Sequence, residues 1–278
     1  MVLSWRGLKS RLYSGKRRID GRNKGLIAIR SRGGALKRKY RFIEHYKQKW
    51  LDKWLFVMRI EYDPNRSAHI ALCSILKEGI YFYVISVAKM EVGSLIITSD
   101  IVKGVLQIGH TTKIKNIPEG VLINNVELIE NSGSKLSRAA GTSSIIVKQY
   151  NQKYSLVKLS SKECRLISKN CYATIGTVSN IENKIKKRIK ASSSRKRGIR
   201  PVVRGLAMNP VDHPHGGRTK GGMHWRSFSG KLAYNVSSRR KKKMSTKYII
   251  IGHRKQRLID KKKKFKKKIK KNKKKKKN

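Results

Sequence analysis

The chain has 278 residues, with 69 Lys and Arg against 15 Asp and Glu and a formal net charge of +54 at pH 7. A charge of that size repels itself and requires a polyanion, nucleic acid first and an anionic membrane surface second. No apolar run approaches the ~18 residues of a membrane span. Cys73, Cys164 and Cys171, an odd count without a CxxC pair, argue against a disulfide framework and a zinc site and for a reducing compartment.

The opening residues, MVLSWRGLKSRLYSGKRR, are basic, hydroxyl-bearing and free of acids. Residues 1–14 fit a transit peptide or an RNA-facing arm, and basic character running unbroken past Arg41 favours the arm. Residues 15–41 mix Gly with Arg and Lys without apolar periodicity, which predicts an extended segment that orders on its partner. Strand patterns begin at 54–62 and continue at 68–76 and 80–88, with turns at Asp63-Pro64-Asn65 and Lys77-Glu78-Gly79, a meander. Short strands at 94–98 and 104–108 complete a small all-β barrel. A second series at 121–128, 144–150, 154–160, 163–168 and 171–178 reads as another small barrel, with the boundary near Lys115-Asn116. Asn180 is placed to cap a short helix whose Ile181, Ile185 and Ile189 dock on that barrel. From Ala191 onward no period survives. The chain thus divides into a basic arm (1–40), a first barrel (41–115), a second barrel with its helix (116–192), a basic extension (193–246) and a lysine tail (247–278). The tail suits phosphate neutralisation, with a nuclear or nucleolar signal as the competing reading.

Three segments carry candidate chemistry. EYDPNRSAHIAL (61–72) makes a tight reversal from which Arg66 projects, unless it is a plain surface turn. SKLSRAAGTSS (134–144) sets Arg138 and Lys135 among small residues that let a partner approach, unless it is only a flexible loop. PVVRGLAMNPVDHPHGG (201–217) lies where the only acids after Asn183 are Asp212 and Asp260. Its prolines and glycines exclude a helix or strand and require a shaped loop. Its polar tools are Arg204, Asn209, Asp212, His213, His215 and the backbone at Gly216 and Gly217, followed by Arg218. Metal ligation by the histidines lacks further ligands at useful spacing. Acid–base chemistry by His213 beside Asp212 lacks a nucleophile and a pocket. RNA contact is the reading left. Of Trp5, Trp50, Trp54 and Trp225, Trp54 is assigned to the first barrel and Trp225, in an unstructured basic region, to base stacking.

EYDPNRSAHIAL, LSRAAGT and RGLAMNPVDHPHGG, in this order and at these separations, resemble the large-subunit ribosomal protein L2 family over roughly Gly15 to Arg240. GRNKGLIAIRSRGGALKRKYR is similar to that family's basic N-terminal region. The resemblance implies an OB-type barrel, an SH3-like barrel and a long basic extension. It implies binding to large-subunit ribosomal RNA, support of the peptidyl-transferase centre and a part in subunit association. Arg66 and Arg138 fall at positions tied to RNA binding, and His213, beside Asp212, at the position tied to peptidyl-transferase support. The RNA is the catalyst in that family, so no enzyme activity is implied. No cofactor is expected from protein ligands, and Mg2+ enters only through the RNA. Expected partners are the RNA, neighbouring large-subunit proteins and the small subunit at the interface, with no membrane and no homo-oligomer. Arg218-Thr219-Lys220 departs from bacteria-like members, as does the short N-terminal region, so local RNA contacts differ. The Ile- and Lys-rich drift looks like an A+T-biased organelle genome and favours a mitochondrial ribosome, with a plastid second. A membrane-surface or DNA-packaging protein explains the charge but not the barrels or the 201–217 loop. A hydrolase explains the loop but not the charge.

Overall fold

The structure, a computed structural model, describes residues 12–15, 21–23, 25–75, 78–100, 106–186, 190–217, 224–233, 239 and 243–252. The chain forms two compact units. One comprises Met1–Gly15, Arg38–Lys187 and Lys247–Asn278; the other comprises Lys16–Lys37 and Arg188–Thr246.

The first unit is mainly β, with an OB-type and an SH3-like half. β1 (Trp54–Glu61), β2 (Ile70–Ile75) and β3 (Ile80–Ile85) form the expected antiparallel meander, and β4 (Leu95–Ser99) pairs with β1. β2 is buried along its whole length because it runs between β1 and β3. The core of this half is Leu55, Val57, Ala71, Cys73, Phe82, Val84 and Ile96, with Trp50 stacked on Phe82 at 4.7 Å and 7°. Each fully buried aliphatic or aromatic side chain contributes about 1.5–3 kcal/mol. Trp54 belongs to β1 but points outward, 55% exposed, so Trp50 rather than Trp54 supplies the packed indole.

The second half contains β5 (Thr111–Lys113), β6 (Leu122–Asn124), β7 (Ser144–Gln149), β8 (Tyr154–Lys158), β9 (Cys164–Ser168) and β10 (Tyr172–Ile175). Ile114, Ile117, Ile123, Val126, Ile146, Val157, Ile167 and Ala173 fill its core. β4 and β5 pair in parallel, Thr98 opposite Thr111, so the strands of both halves run on as one hydrogen-bonded sheet. Leu106 already packs on the second core and Ile114 is fully buried in it. The cores therefore change over between Ile96 and Leu106, ahead of Lys115-Asn116. Residues 106–108 form no strand, and residues 104–105 lie outside the described set. All three cysteines are buried thiols.

The helix expected after Asn180 is a single 3-10 turn, Ile181–Lys184. Asn180 adopts a left-handed φ of 58° and makes no side-chain cap; its Nδ2 donates instead to the Ser67 carbonyl at 2.7 Å. Ile181 and Ile185 are 53% and 77% exposed, so no apolar stripe docks there, and Ile189 lies outside the described residues. Lysines crowd this stretch at helical neighbour spacing, and like charges three or four apart oppose a helix.

The N-terminal segment also differs from expectation. Tyr13–Gly15 pairs with Lys39–Arg41, and Leu12 is buried against Ile70, Leu72 and Tyr83. Residues 21–23 and 25–37 belong to the second unit and are joined to it by backbone bonds. Gly33 N–H donates to the Gly198 carbonyl (2.9 Å), Leu36 N–H to Lys196 (3.0 Å) and Arg200 N–H to Ser31 (3.0 Å), beside the short helix Ala191–Lys196. Such bonds use no side chain, so no pattern in the sequence announces them.

A last strand, β11 (Ile249–Ile251), returns to the first unit and adds to the edge of β9, with Tyr248 and Tyr154 ring centroids 5.7 Å apart. Ile251 lies directly opposite Cys164. Antiparallel partners sit about 4.5–5.5 Å apart, within disulfide reach. We therefore expect mild oxidation of an Ile251→Cys variant to link position 251 to Cys164, read by peptide mapping. Absence of that link would mean the edge strand does not dock.

Candidate nucleic-acid interface

In the first unit, the loops bearing Arg66 and Arg138 come together. Asp63 is almost fully buried, at 1% exposure, and its carboxylate accepts from Asn65 N–H (2.9 Å) and from Arg66 Nε (2.7 Å). Arg41 stands 3.7 Å from the same carboxylate. A buried anion is retained only with such partners, so this reversal is fixed rather than flexible. Arg66 therefore folds back on Asp63 instead of projecting freely, and only 20% of its side chain is exposed. Arg38 donates to the Pro64 carbonyl (3.3 Å) and Asn65 to the Lys39 carbonyl (2.7 Å), so the 38–41 segment grips the same turn.

The second loop is fastened to the first by Ala140 N–H donating to Ser67 Oγ at 3.1 Å. Ala68 and Ala140 pack together with Ile85 and Val178 beneath them. Gly141 has φ +60°, and a Cβ there would meet the Ile181 Cα at 3.0 Å, so the backbones approach more closely than a side chain permits. Arg138 itself is exposed. His45, which sequence reading did not single out, sits between the loops. Its carbonyl accepts from Ser134 N–H (3.0 Å), and its half-buried imidazole feels both arginines. Burial first, then the charges of Arg138, Lys47 and Arg66, push its pKa from 6.5 down to about 4. The imidazole is therefore neutral at physiological pH, beside the cations Arg138 and Arg66.

In the second unit, residues 201–217 close on themselves. Gly217 N–H donates to the Met208 carbonyl (3.1 Å), Gly216 N–H to His213 (2.9 Å), and Asp212 and His213 N–H to Asn209 (3.0 and 3.3 Å). A Cβ on Gly216 would lie 2.2 Å from the Asn209 carbonyl oxygen, and Gly217 (φ +75°) sits against Pro210. The His213 ring covers Gly205, where a Cβ would approach it at 2.6 Å. His213 Nδ1 accepts from His215 N–H at 3.0 Å, which leaves the ring proton on Nε2. Partial burial, then the neighbouring His215 and Arg30, lower the His213 pKa, so its ring too is neutral. His215 Nε2 in turn accepts from Arg226 N–H at 3.0 Å. Arg204, Asn209 and Asp212 are exposed around this loop. Trp225 is 72% exposed and opens a short hairpin, so the region assigned no structure has some. Arg218 lies outside the described residues. Among the described residues no group of His, Cys, Asp and Glu could hold a metal ion, and no helix is long and apolar enough to cross a membrane.

Residues 9–98 match the family described as Ribosomal Proteins L2, RNA binding N-terminal domain, and residues 107–246 match Ribosomal Proteins L2, C-terminal domain. Large ribosomal subunit protein uL2m of Dictyostelium citrinum is 88% identical over 240 residues, covering 86% of this chain and 90% of that protein. The protein of the same name from Dictyostelium discoideum is 87% identical over the same length and coverage. Large ribosomal subunit protein uL2 of Wolbachia pipientis subsp. Culex pipiens is 44% identical over 217 residues, 77% of each chain.

Two measurements check this geometry. The unfolded His45 imidazole protonates near 6.5 and the native one near 4, so between those values the unfolded state binds more protons. Stability should fall as pH drops from about 6.5 to about 4 and level off below, and His45→Gln should flatten part of that fall in a thermal unfolding series. Gly216→Ala should force the loop open at a cost of about 1–3 kcal/mol. Hydrogen exchange at the Gly217 amide should then speed up while amides of β2 stay protected.

Proposed function

We propose, because this chain belongs to the ribosomal protein L2 family, that it is a structural constituent of the large subunit of the mitochondrial ribosome and binds large-subunit ribosomal RNA. The observation that carries the reading is the pairing of the 63–67 and 138–142 loops. The loops carrying two arginines from distant sequence are fastened together, with Asp63 tethering Arg66 itself. The name uL2m of the most similar relatives reported above supports the mitochondrial address.

The mechanism has two layers. Lys and Arg throughout the chain neutralise phosphates and release counterions, so affinity falls steeply with salt. Shape then selects the site: Arg66 and Arg138 stand on the double barrel, and the 201–217 loop offers Arg204, Asn209, His213, His215 and close backbone at Gly216 and Gly217. Arg218 and Trp225 extend that contact. His213, with Asp212 beside it, supports the geometry of the peptidyl-transferase RNA rather than shuttling a proton, and Mg2+ enters through the RNA. Neighbouring large-subunit proteins and the small subunit at the interface complete the set of partners.

Ultraviolet crosslinking of the tagged protein in its own cells tests the reading. Crosslinks should concentrate on large-subunit ribosomal RNA in mitochondria; crosslinks scattered over many RNAs or DNA would overturn it. Charge-assisted contacts contribute about 1.5–3 kcal/mol. Arg66→Ala or Arg138→Ala should therefore weaken RNA binding tenfold or more by that estimate, whereas Lys277→Ala should barely register. Equal effects would remove the special role of the two loops.

A further inference from the structure

We infer that residues 225–233 form a stacking platform for an unpaired nucleotide of the RNA, with Trp225 and Phe228 as the rings and His215 and Arg30 as its two fastenings. The inference rests on the RNA-binding reading above and assigns a site to it. The platform is a hairpin. Ala233 N–H donates to the Trp225 carbonyl (2.8 Å) and Ser227 N–H to Lys231 (2.8 Å), and Arg226 bridges to Leu232. The tip is the turn Ser227-Phe228-Ser229-Gly230, closed by Gly230 N–H to Ser227 at 2.9 Å, with Gly230 at φ +77°. Arg226 adds a guanidinium bond to the Gly230 carbonyl at 3.3 Å.

Each end of this hairpin is tied to a different part of the unit. At the base, His215 Nε2 receives the Arg226 N–H at 3.0 Å and lies 3.2 Å from the His224 carbonyl. At the tip, the Arg30 guanidinium carbon stands 4.1 Å above the Phe228 ring centroid. Arg30 comes from the N-terminal segment and His215 from the HPHGG loop, so three separated stretches converge.

The rings nevertheless stay open, Trp225 at 72% and Phe228 at 48% exposure. Two exposed aromatics carried on a tied hairpin in a basic unit suit a planar, electron-rich partner carried on an anionic chain. A nucleobase fits: it stacks on an aromatic face while its phosphates meet the surrounding cations, and a guanidinium laid on a ring continues the stack. The described residues of this unit include one acid, Asp212, so little opposes the phosphates.

The test compares the full-length protein on single-stranded oligoadenylate and on inorganic polyphosphate of matched charge, over a range of salt. Stacking contributes about 1–3 kcal/mol per base, roughly fivefold to 150-fold. Phe228→Leu and Trp225→Leu should each lower oligoadenylate affinity within that range, with the salt slope and polyphosphate binding unchanged. Phe228→Tyr, which keeps the ring, should retain affinity. If Phe228→Leu and Trp225→Leu bind oligoadenylate like the parent, or lose polyphosphate equally, there is no platform. If the parent itself shows no preference for oligoadenylate over polyphosphate, the RNA-binding reading falls as well.

Discussion

Carboxylates are scarce in this protein, 15 against 69 cations, and where they sit decides which parts hold themselves together. Asp63 is the clearest case. Buried and bonded to Arg66 at 2.7 Å and to the Asn65 amide at 2.9 Å, it turns a reversal into a mount for a cation. Asp100 does the same for Lys113 at 2.7 Å, and Glu61 takes the hydroxyls of Tyr13 and Tyr83 at 3.0 and 2.9 Å. All three lie in the unit that also owns the apolar cores. There, carboxylates fix selected cations and hydroxyls in place.

The second unit has no comparable resource. Among its described residues no apolar side chain is buried. Its order comes from backbone bonds such as Gly33 to Gly198 and Gly217 to Met208, and from glycines that let strands touch. A hydrogen bond contributes about 0.5–1.5 kcal/mol net, whereas fixing one residue costs about 1–2 kcal/mol. Backbone bonding alone therefore does not offset the cost of ordering this unit. Phosphate contact is the available source of the difference, which is why a geometry drawn within the chain and a requirement for RNA are compatible.

Much of the first unit was legible in its residues. Alternation and β-branched runs located β1 to β4 and β7 to β10 within a few residues, because those strands bury one or both faces and composition must record it. The convergence of Arg66 and Arg138 was not legible from spacing, since it depends on Ser67 Oγ meeting the Ala140 amide across the fold. Asp63, three residues before Arg66, did carry a hint of the tether that keeps Arg66 from projecting. His45 in FIEHYKQKW and Arg30 in IAIRSRGG carried none, because a lone residue acquires its role only from what folds beside it. The missing helix after Asn180 is the converse error: apolar spacing was present, but the lysines between the isoleucines opposed the period they seemed to support.

The histidines of the 201–217 loop show how far an acid-poor scaffold can specify chemistry. His213 is pinned from two sides, by Gly205 under its ring and by the His215 amide on Nδ1. A general base needs a free lone pair, and the Nδ1 lone pair is already taken. The other nitrogen holds the proton, so the ring can donate but must break a backbone bond before it accepts. His215 is likewise engaged, its Nε2 receiving the Arg226 amide. Both imidazoles thus act as joints that set backbone positions. Replacing either with a side chain of similar size but different acceptor geometry would disturb the shape of the loop before it disturbed any proton transfer.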